Sequence, residues 1–349
     1  MTPDGHPLDL GRLFAFAFAN KASDIHITVG EPPLLRVHGH LHRLESGPLD
    51  AEAVRELVHS LMTDRQRLEL EQRLAIDFSF EFGQAGRFRV NVFHDRCGLA
   101  AVMRTVPTVT PTLEALGLPP IVRKLCNFDR GLVLVTGPTG SGKSTTLASM
   151  IEVINATTAG RIITVEDPIE FVHPSKRSLV SQRELGVHTL SFADALRGAL
   201  REDPDVILVG EMRDLETIRL AITAAETGHL VFSTLHAPSA PQAVDRMIDV
   251  YPPEQQAQIR GQLADSLLAV ITQALLPKVG GGRVAAAEVL IGTPAVHSLI
   301  REAKTHQLAS IMQLSAKDGM QTMEMAVAQL VRSCLVDSDV AARARGGVG

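Results

Sequence analysis

The sequence predicts an α/β protein, with a parallel sheet in the second, larger part of the chain and a smaller α+β unit before it. Three observations carry the prediction. Short continuous apolar runs recur at 132–136, 162–165, 206–209 and 230–233, as expected of strands buried on both faces. Helical periodicity fills the stretches between them. A proline-rich segment over 105–120, with Pro107, Pro111, Pro119 and Pro120, separates this rhythm from a differently patterned beginning.

In the first part, residues 8–20 read as a helix, and 24–29 and 34–44 as strands. A longer helix is predicted over 50–73, because Val54, Leu57, Val58, Leu61 and Met62 fall at helical spacing. A hairpin follows. Ile76, Phe78, Phe80 and Phe82 alternate with Asp77, Ser79 and Glu81, and beyond Gly83 and Gly86 the residues Phe88, Val90 and Val92 alternate with Arg87, Arg89 and Asn91. With the apolar set facing a core, Arg87 and Arg89 lie on the opposite side. A five-residue loop register sets Arg87 across from Glu81 as a possible ion pair.

Beyond the prolines, alternating strands and helices imply right-handed crossovers with helices on the sheet faces. Leu215, Ile218, Ile222 and Ala225 mark a helix that ends by Gly228, and Ser191 with Asp194 opens another. After Pro252 the chain reads as helical over 254–276, then as a strand near 285–291, then as helices from Pro294 to about residue 335. The Ala/Arg/Gly-rich tail is expected to fray. The expected organisation is thus a domain over 1–106, a linker over 107–120, a domain over 121–338 and a disordered tail over 339–349.

Composition narrows the function classes. Hydrophobic residues make up 45% and charged residues 21% of the 349, enough for packed cores and unlike a disordered chain. The longest apolar run, 13–19, is far short of the ~18 residues of a membrane span, and no basic, apolar leader opens the sequence. Neither direct membrane insertion nor secretion is expected. Cys97, Cys126 and Cys334 form no C-x-x-C pair, which suits a reducing, cytoplasmic setting. Net charge is −5, and residues 1–110 hold 12 Lys+Arg against 14 Asp+Glu. Neither part is a basic body built for phosphate backbones, so nucleic acid is not an expected partner.

The chemistry-bearing signal is Gly137-Pro138-Thr139-Gly140-Ser141-Gly142-Lys143-Ser144, between a buried strand and a helix beginning Ser144-Thr145-Thr146. Glycines let successive N–H groups converge on phosphate oxygens, and the helix dipole adds positive potential. Lys143 is placed to reach β- and γ-phosphates and Ser144 to ligate Mg²⁺. A second signal is Asp205-Val-Ile-Leu-Val-Gly-Glu211, a strand that delivers an acid to the carboxyl edge where the phosphate loop also lies. Glu211 there suits the Mg²⁺ shell or a polarised water. A third is Glu166-Asp167-Pro168-Ile169-Glu170 at the end of another inner strand, which supplies candidates for the base that activates water. His229 and His236 flank the strand 230–233. Seven strand residues span ~23 Å, so the two cannot share one metal ion. His236, at the carboxyl end, is placed to sense the γ-phosphate, while His229 at the other end suits either nucleotide contact or a structural hydrogen bond.

These segments resemble the Walker A (137–145), Asp box (166–171), Walker B (205–211) and His box (227–236) of secretion and type IV pilus ATPases, most closely the pilus retraction ATPase (PilT) subfamily. The likeness extends through 22–29, 87–93 and 299–307 and so spans nearly the whole sequence. At 295–302 the family's Ala-Ile-Arg-Asn-Leu-Ile-Arg-Glu reads Ala-Val-His-Ser-Leu-Ile-Arg-Glu.

The resemblance implies a RecA-like ATPase domain preceded by a PAS-like domain, a homo-hexameric ring and ATP bound between subunits. It assigns water activation to Glu170, the Walker B acid to Glu211, and phosphate contacts to N-terminal arginines matching Arg87, Arg89 and Arg104. It further implies ATP hydrolysis driving pilus retraction and twitching motility at the cytoplasmic face of the inner membrane. The implied partners are a polytopic platform protein and a paralogous ATPase. Two other readings share the engine. Pilus assembly or type II secretion ATPases resemble longer chains, usually with a four-cysteine zinc insertion, and a DNA-translocating hexamer would carry basic or aromatic clusters. The third alternative is a ring that only docks partners without hydrolysis, against which all expected catalytic acids are present.

Overall fold

The computed structural model describes residues 9–37, 39–83, 86–106 and 109–346. Residue 8 of the first predicted helix, the hairpin-turn residues 84 and 85, Pro107 of the predicted linker and residues 347–349 of the tail lie outside the described residues. The chain divides into two compact units, Met1–Val109 and Thr110–Gly349.

The first unit carries α1 (Leu10–Ala19), β1 (Asp24–Thr28), β2 (Leu34–Val37), β3 (His40–Arg43), α2 (Ala51–Ser60), α3 (Asp64–Arg73), β4 (Ala75–Phe82), β5 (Gly86–Asp95) and β6 (Gly98–Val106). Its sheet has the order β3-β2-β1-β6-β5-β4, antiparallel throughout. The alternating phenylalanines of the hairpin and α1 close the core. Phe14 is fully buried, with its ring 4.4 Å from that of Phe88 and 5.1 Å from that of Phe82. The helix expected over 50–73 is two helices. Thr63 accepts from the Gln66 N–H while the Gln66 side chain accepts from the Thr63 N–H, a reciprocal cap that restarts the chain as α3. The strand expected over 34–44 likewise splits at Gly39 (φ +86°).

The second unit carries α4 (Pro120–Leu125), β7 (Gly131–Thr136), α5 (Lys143–Thr157), β8 (Arg161–Glu166), β9 (Leu179–Glu184), α6 (Phe192–Ala199), β10 (Val206–Val209), α7 (Leu215–Glu226) and β11 (Leu230–Leu235). It continues with α8 (Ala240–Asp249), α9 (Pro253–Ser266), β12 (Leu267–Pro277), β13 (Arg283–Ile291), α10 (Pro294–Arg301), α11 (Leu308–Leu314), α12 (Met323–Arg332) and α13 (Ser338–Gly346). The sheet order is β13-β12-β7-β11-β10-β8-β9, parallel except for the β12–β13 pair. Alternate strand residues serve two cores. Leu132, Leu134, Ile207 and Val209 pack with α7, α8 and α9 on one face, and Val133, Val135, Leu208 and Phe232 pack with Leu147, Met150 and Ile151 of α5 on the other. The α/β class with a parallel-rich sheet is as the sequence predicts.

Two further expectations need correction. The stretch 254–276 is not one helix, because α9 ends at Ser266 and 267–277 forms β12 between β7 and β13. A run whose only polar residues are Thr272 and Gln273 has no period to distinguish the two states, and burial of both faces together with the β-branched Val270, Ile271 and Thr272 favours the strand. The tail is not frayed up to residue 346. Ala341 of α13 is buried in a small core with Val336, Leu276, Ala326 and Val327, which rewards helix formation there. No helix among the described residues is long and apolar enough to cross a membrane.

Candidate active site

The phosphate-loop sequence folds as a tight turn from the end of β7 into α5. Gly137 has φ +133°, and a Cβ there would lie 2.3 Å from the Gln273 carbonyl oxygen, so only glycine lets the loop pass against β12. Gly142 caps α5 in the left-handed region and no side chain occupies the cap, which leaves the first-turn N–H groups directed at whatever anion the loop surrounds. Lys143 opens the helix and turns its ammonium into the loop, donating to the Gly137 and Pro138 carbonyls at 3.0 Å each. Burial draws the Lys143 pKa below its usual value, and the carboxylates of Glu211 and Glu170 act against that shift. The Ser141 hydroxyl is buried, with no hydrogen-bond partner among the described residues. Pro138, Thr139 and Gly140 form the exposed rim, and Ser144 and Thr145 stand half-buried on the first turn.

The acids arrive from neighbouring strand ends that are laced together. The Gly210 N–H donates to the Val165 carbonyl at 2.7 Å, and Thr234 Oγ1 donates to the Gly210 carbonyl at 2.5 Å. A Cβ on residue 210 would meet the Val165 oxygen at 3.1 Å and Glu166 Cα at 3.2 Å, so the glycine lets the ends of β8 and β10 approach. Glu211 then meets a guanidinium and an imidazole: Arg213 Nη2 is 2.7 Å from Oε2 and His236 Nε2 is 3.5 Å from Oε1. Burial pushes the Glu211 carboxyl up, but Arg213, His236 and Lys143 together outweigh it and hold the group below the ordinary carboxylate range.

Glu166 and Glu170 are placed differently. Glu166 Oε1 accepts from Thr164 Oγ1 at 2.6 Å and from Gln182 Nε2 at 3.1 Å, and the Glu170 main-chain N–H donates to the same carboxylate. Burial raises its pKa above the usual value in spite of these bonds. Glu170 is exposed, and its charge reaches Lys143. One of the two acids is thus tied into the strand end, while the other is free to meet a water beside the phosphate loop.

His229 does not join this cluster. It precedes β11 at the amino end, its main-chain carbonyl accepts from the Gly131 N–H, and its Nδ1 lies 2.9 Å from the Ala224 carbonyl at the close of α7. Because β7 and β11 run parallel, His229 stands at the opposite end of the sheet from the phosphate loop of the same unit. In the first unit, Arg87 pairs with Glu81 at 3.2 Å in direct cross-strand register, Arg104 donates to the buried Asp24 at 2.9 Å, and Arg89 is exposed across from Arg104. Arg213 went unread in the sequence, although its place two residues after the strand-end acid was the available signal. Among the described residues no three or more His, Cys, Asp or Glu gather to hold a metal ion. The Ser144 hydroxyl and Glu211 carboxylate are hard oxygen donors that fit a Mg²⁺ shared with substrate phosphates.

The model of the type II/IV secretion system protein family matches residues 9–281. The type IV pilus retraction ATPase PilT of Pseudomonas aeruginosa is 52% identical over 332 residues, covering 95% of this chain and 96% of its own. A twitching motility protein of Neisseria gonorrhoeae is 53% identical over 330 residues, covering 93% of this chain and 88% of its own. Among solved structures, the pilus retraction motor PilT with bound ADP superposes with a TM-score of 0.91 at 49% identity, covering 96% of each chain. The phosphate loop, the strand-end acids and a likeness that runs the length of both units agree: the chain belongs to the type II/IV secretion system protein family, among its PilT-type ATPases.

Proposed function

We propose that this protein is a motor that hydrolyses ATP to ADP and phosphate and uses the cycle to power retraction of type IV pili. The observation that carries the reading is the meeting of Lys143, Glu211, His236 and Glu170 around one glycine-built loop, in a chain so similar to retraction ATPases.

Loop amides and Lys143 grip the β- and γ-phosphates, and Ser144 with Glu211 holds Mg²⁺, which neutralises charge on the phosphoryl oxygens when bound. Glu170 orients the attacking water and takes its proton. Glu166 fixes the turn that carries Glu170, through the N–H bond between them. His236 reads the γ-phosphate end through Glu211. Arg87, Arg89 and Arg104 approach phosphates in a homo-hexamer, where the connection between the two units is the hinge that converts occupancy into rigid-body motion. The ring works at the cytoplasmic face of the inner membrane against a polytopic platform protein, alongside a paralogous ATPase.

Phosphate release by the purified chain with Mg²⁺ tests the chemistry, and Lys143→Ala abolishes it. Turnover by that variant at the unaltered rate sinks the assignment. Deletion in the host followed by imaging of surface pili tests the biology: long, non-retracting filaments support retraction, and bald cells refute it.

A further inference from the structure

Glu288 lies in the middle of β13 and is 7% exposed. Its carboxylate is satisfied by main-chain N–H groups of two different helices. Oε1 accepts from Ala240, the first residue of α8, at 2.7 Å, and Oε2 accepts from Met323, the first residue of α12, at 3.2 Å. One buried anion therefore stands at the positive ends of two helices at once, one oxygen to each. Burial raises its pKa and the two N–H bonds oppose that.

Both helices border the candidate active site. α8 begins four residues after His236, and Arg246 on α8 donates back to the His236 carbonyl at 2.6 Å, so the loop between β11 and α8 is held at each end. α12 is strapped to β13 by the Gln321–Val289 main-chain pair at 2.8 and 3.1 Å and by Gln321 Nε2 donating to the Ala287 carbonyl at 2.7 Å. Met323 and Val327 of α12 line a cavity of about 400 Å³ together with Gly137, Pro138 and His236. Across the ladder from Glu288 stands Thr272, whose hydroxyl bonds that of Thr136, the last residue before the phosphate loop, at 2.8 Å.

We propose that Glu288 is a positioning residue, which holds the His236 loop in register with the phosphate loop by tying α8 to α12. The inference rests on the ATPase reading above and adds that the far C-terminal helix α12 bears on turnover through Glu288 and His236.

Steady-state ATP hydrolysis by the full chain with Mg²⁺ tests it. Glu288→Gln keeps the shape and loses one acceptor oxygen. It is expected to lower kcat about tenfold with KM within about twofold, as for a displaced group rather than lost binding. Met323→Pro deletes the α12 N–H, at a first-turn position that suits proline and after an extended Thr322, and is read against Met323→Ala, which also shortens the cavity-lining side chain but keeps the N–H. Met323→Pro is expected to lower kcat about threefold at unchanged KM, and it carries the test alone if Glu288→Gln fails to fold. In a His236→Ala background neither substitution costs anything more, because both act through the one missing group. Equal losses with and without the His236 side chain, a raised KM at constant kcat, or no change at all overturns the proposal while the ATPase reading stands. An unaltered chain that releases no phosphate overturns both.

Discussion

Arg213 and His236 approach the Glu211 carboxylate from its two oxygens, at 2.7 and 3.5 Å, so the acid at the end of β10 is oriented before any ligand arrives. Arg213 is 69% exposed on its side chain, and solvent screening limits what the pair contributes. Its consequence for chemistry is electrostatic.

Arg213→Ala removes the strongest of the influences that hold Glu211 low. The Glu211 pKa therefore rises, and the carboxylate is lost as a Mg²⁺ ligand at a higher pH than before. The acid limb of the turnover profile is expected to move to higher pH, by an amount limited by the exposure of the arginine. A pH profile of kcat/KM checks this, and an unmoved acid limb refutes the link between Arg213 and Glu211.

Glu170 and Glu166 separate by substitution. Glu170→Gln is expected to bind ATP as before and to lose about 10²- to 10⁴-fold in kcat, the usual contribution of a positioned base. Glu166→Gln retains the Oε1 that accepts from Thr164 and Gln182, and it keeps most turnover. Nucleotide binding and single-turnover rates of both variants decide the matter. The reverse ranking moves the base to Glu166.

What the sequence disclosed followed from how local each signal is. The phosphate loop is legible because a backbone that must curl requires glycine at fixed positions, as Gly137 shows against Gln273. Glu211 and His236 are legible as strand-end residues because a four- to six-residue apolar run gives the strand and its direction. Their meeting at 3.5 Å depends on which strands are neighbours, and periodicity says nothing about strand order. Glu288 was invisible for the same reason: its helix partners lie 48 and 35 residues away in the chain. β12 escaped because its apolar run fits a buried helix equally well, and β9 because an edge strand with Ser181, Gln182 and Arg183 carries no apolar alternation.

Arg104 and Arg89 of the first unit are distinguished by stability before activity. Arg104→Ala leaves Asp24, 5% exposed, without its nearest cation and is expected to cost about 1 kcal/mol, discounted for the exposure of the arginine. Arg89→Ala, at an exposed strand position, is expected to stay within about 0.5 kcal/mol. A turnover loss in Arg89→Ala at unchanged Tm supports a phosphate contact. The same loss in Arg104→Ala with a lowered Tm is explained by Asp24 instead. Thermal melts paired with phosphate release make the comparison.

Glu166 also predicts how stability depends on pH. Burial places its folded-state pKa above that of the unfolded chain, so the folded protein holds this proton more firmly. Below the unfolded value both states are protonated and the advantage of the protonated group is fully present. As pH rises through the folded value the proton must leave, and the advantage is lost. Gln at this position has no proton to give up and keeps its acceptor oxygen. The Tm of Glu166→Gln relative to the unaltered protein is therefore expected to increase as pH rises from the ordinary carboxylate range through the raised folded-state value, and then to level off. Melts of both proteins across that range check it. A difference that stays constant, or shrinks as pH rises, shows that the Thr164, Gln182 and Glu170 donors outweigh burial and that Glu166 is held as a stable anion.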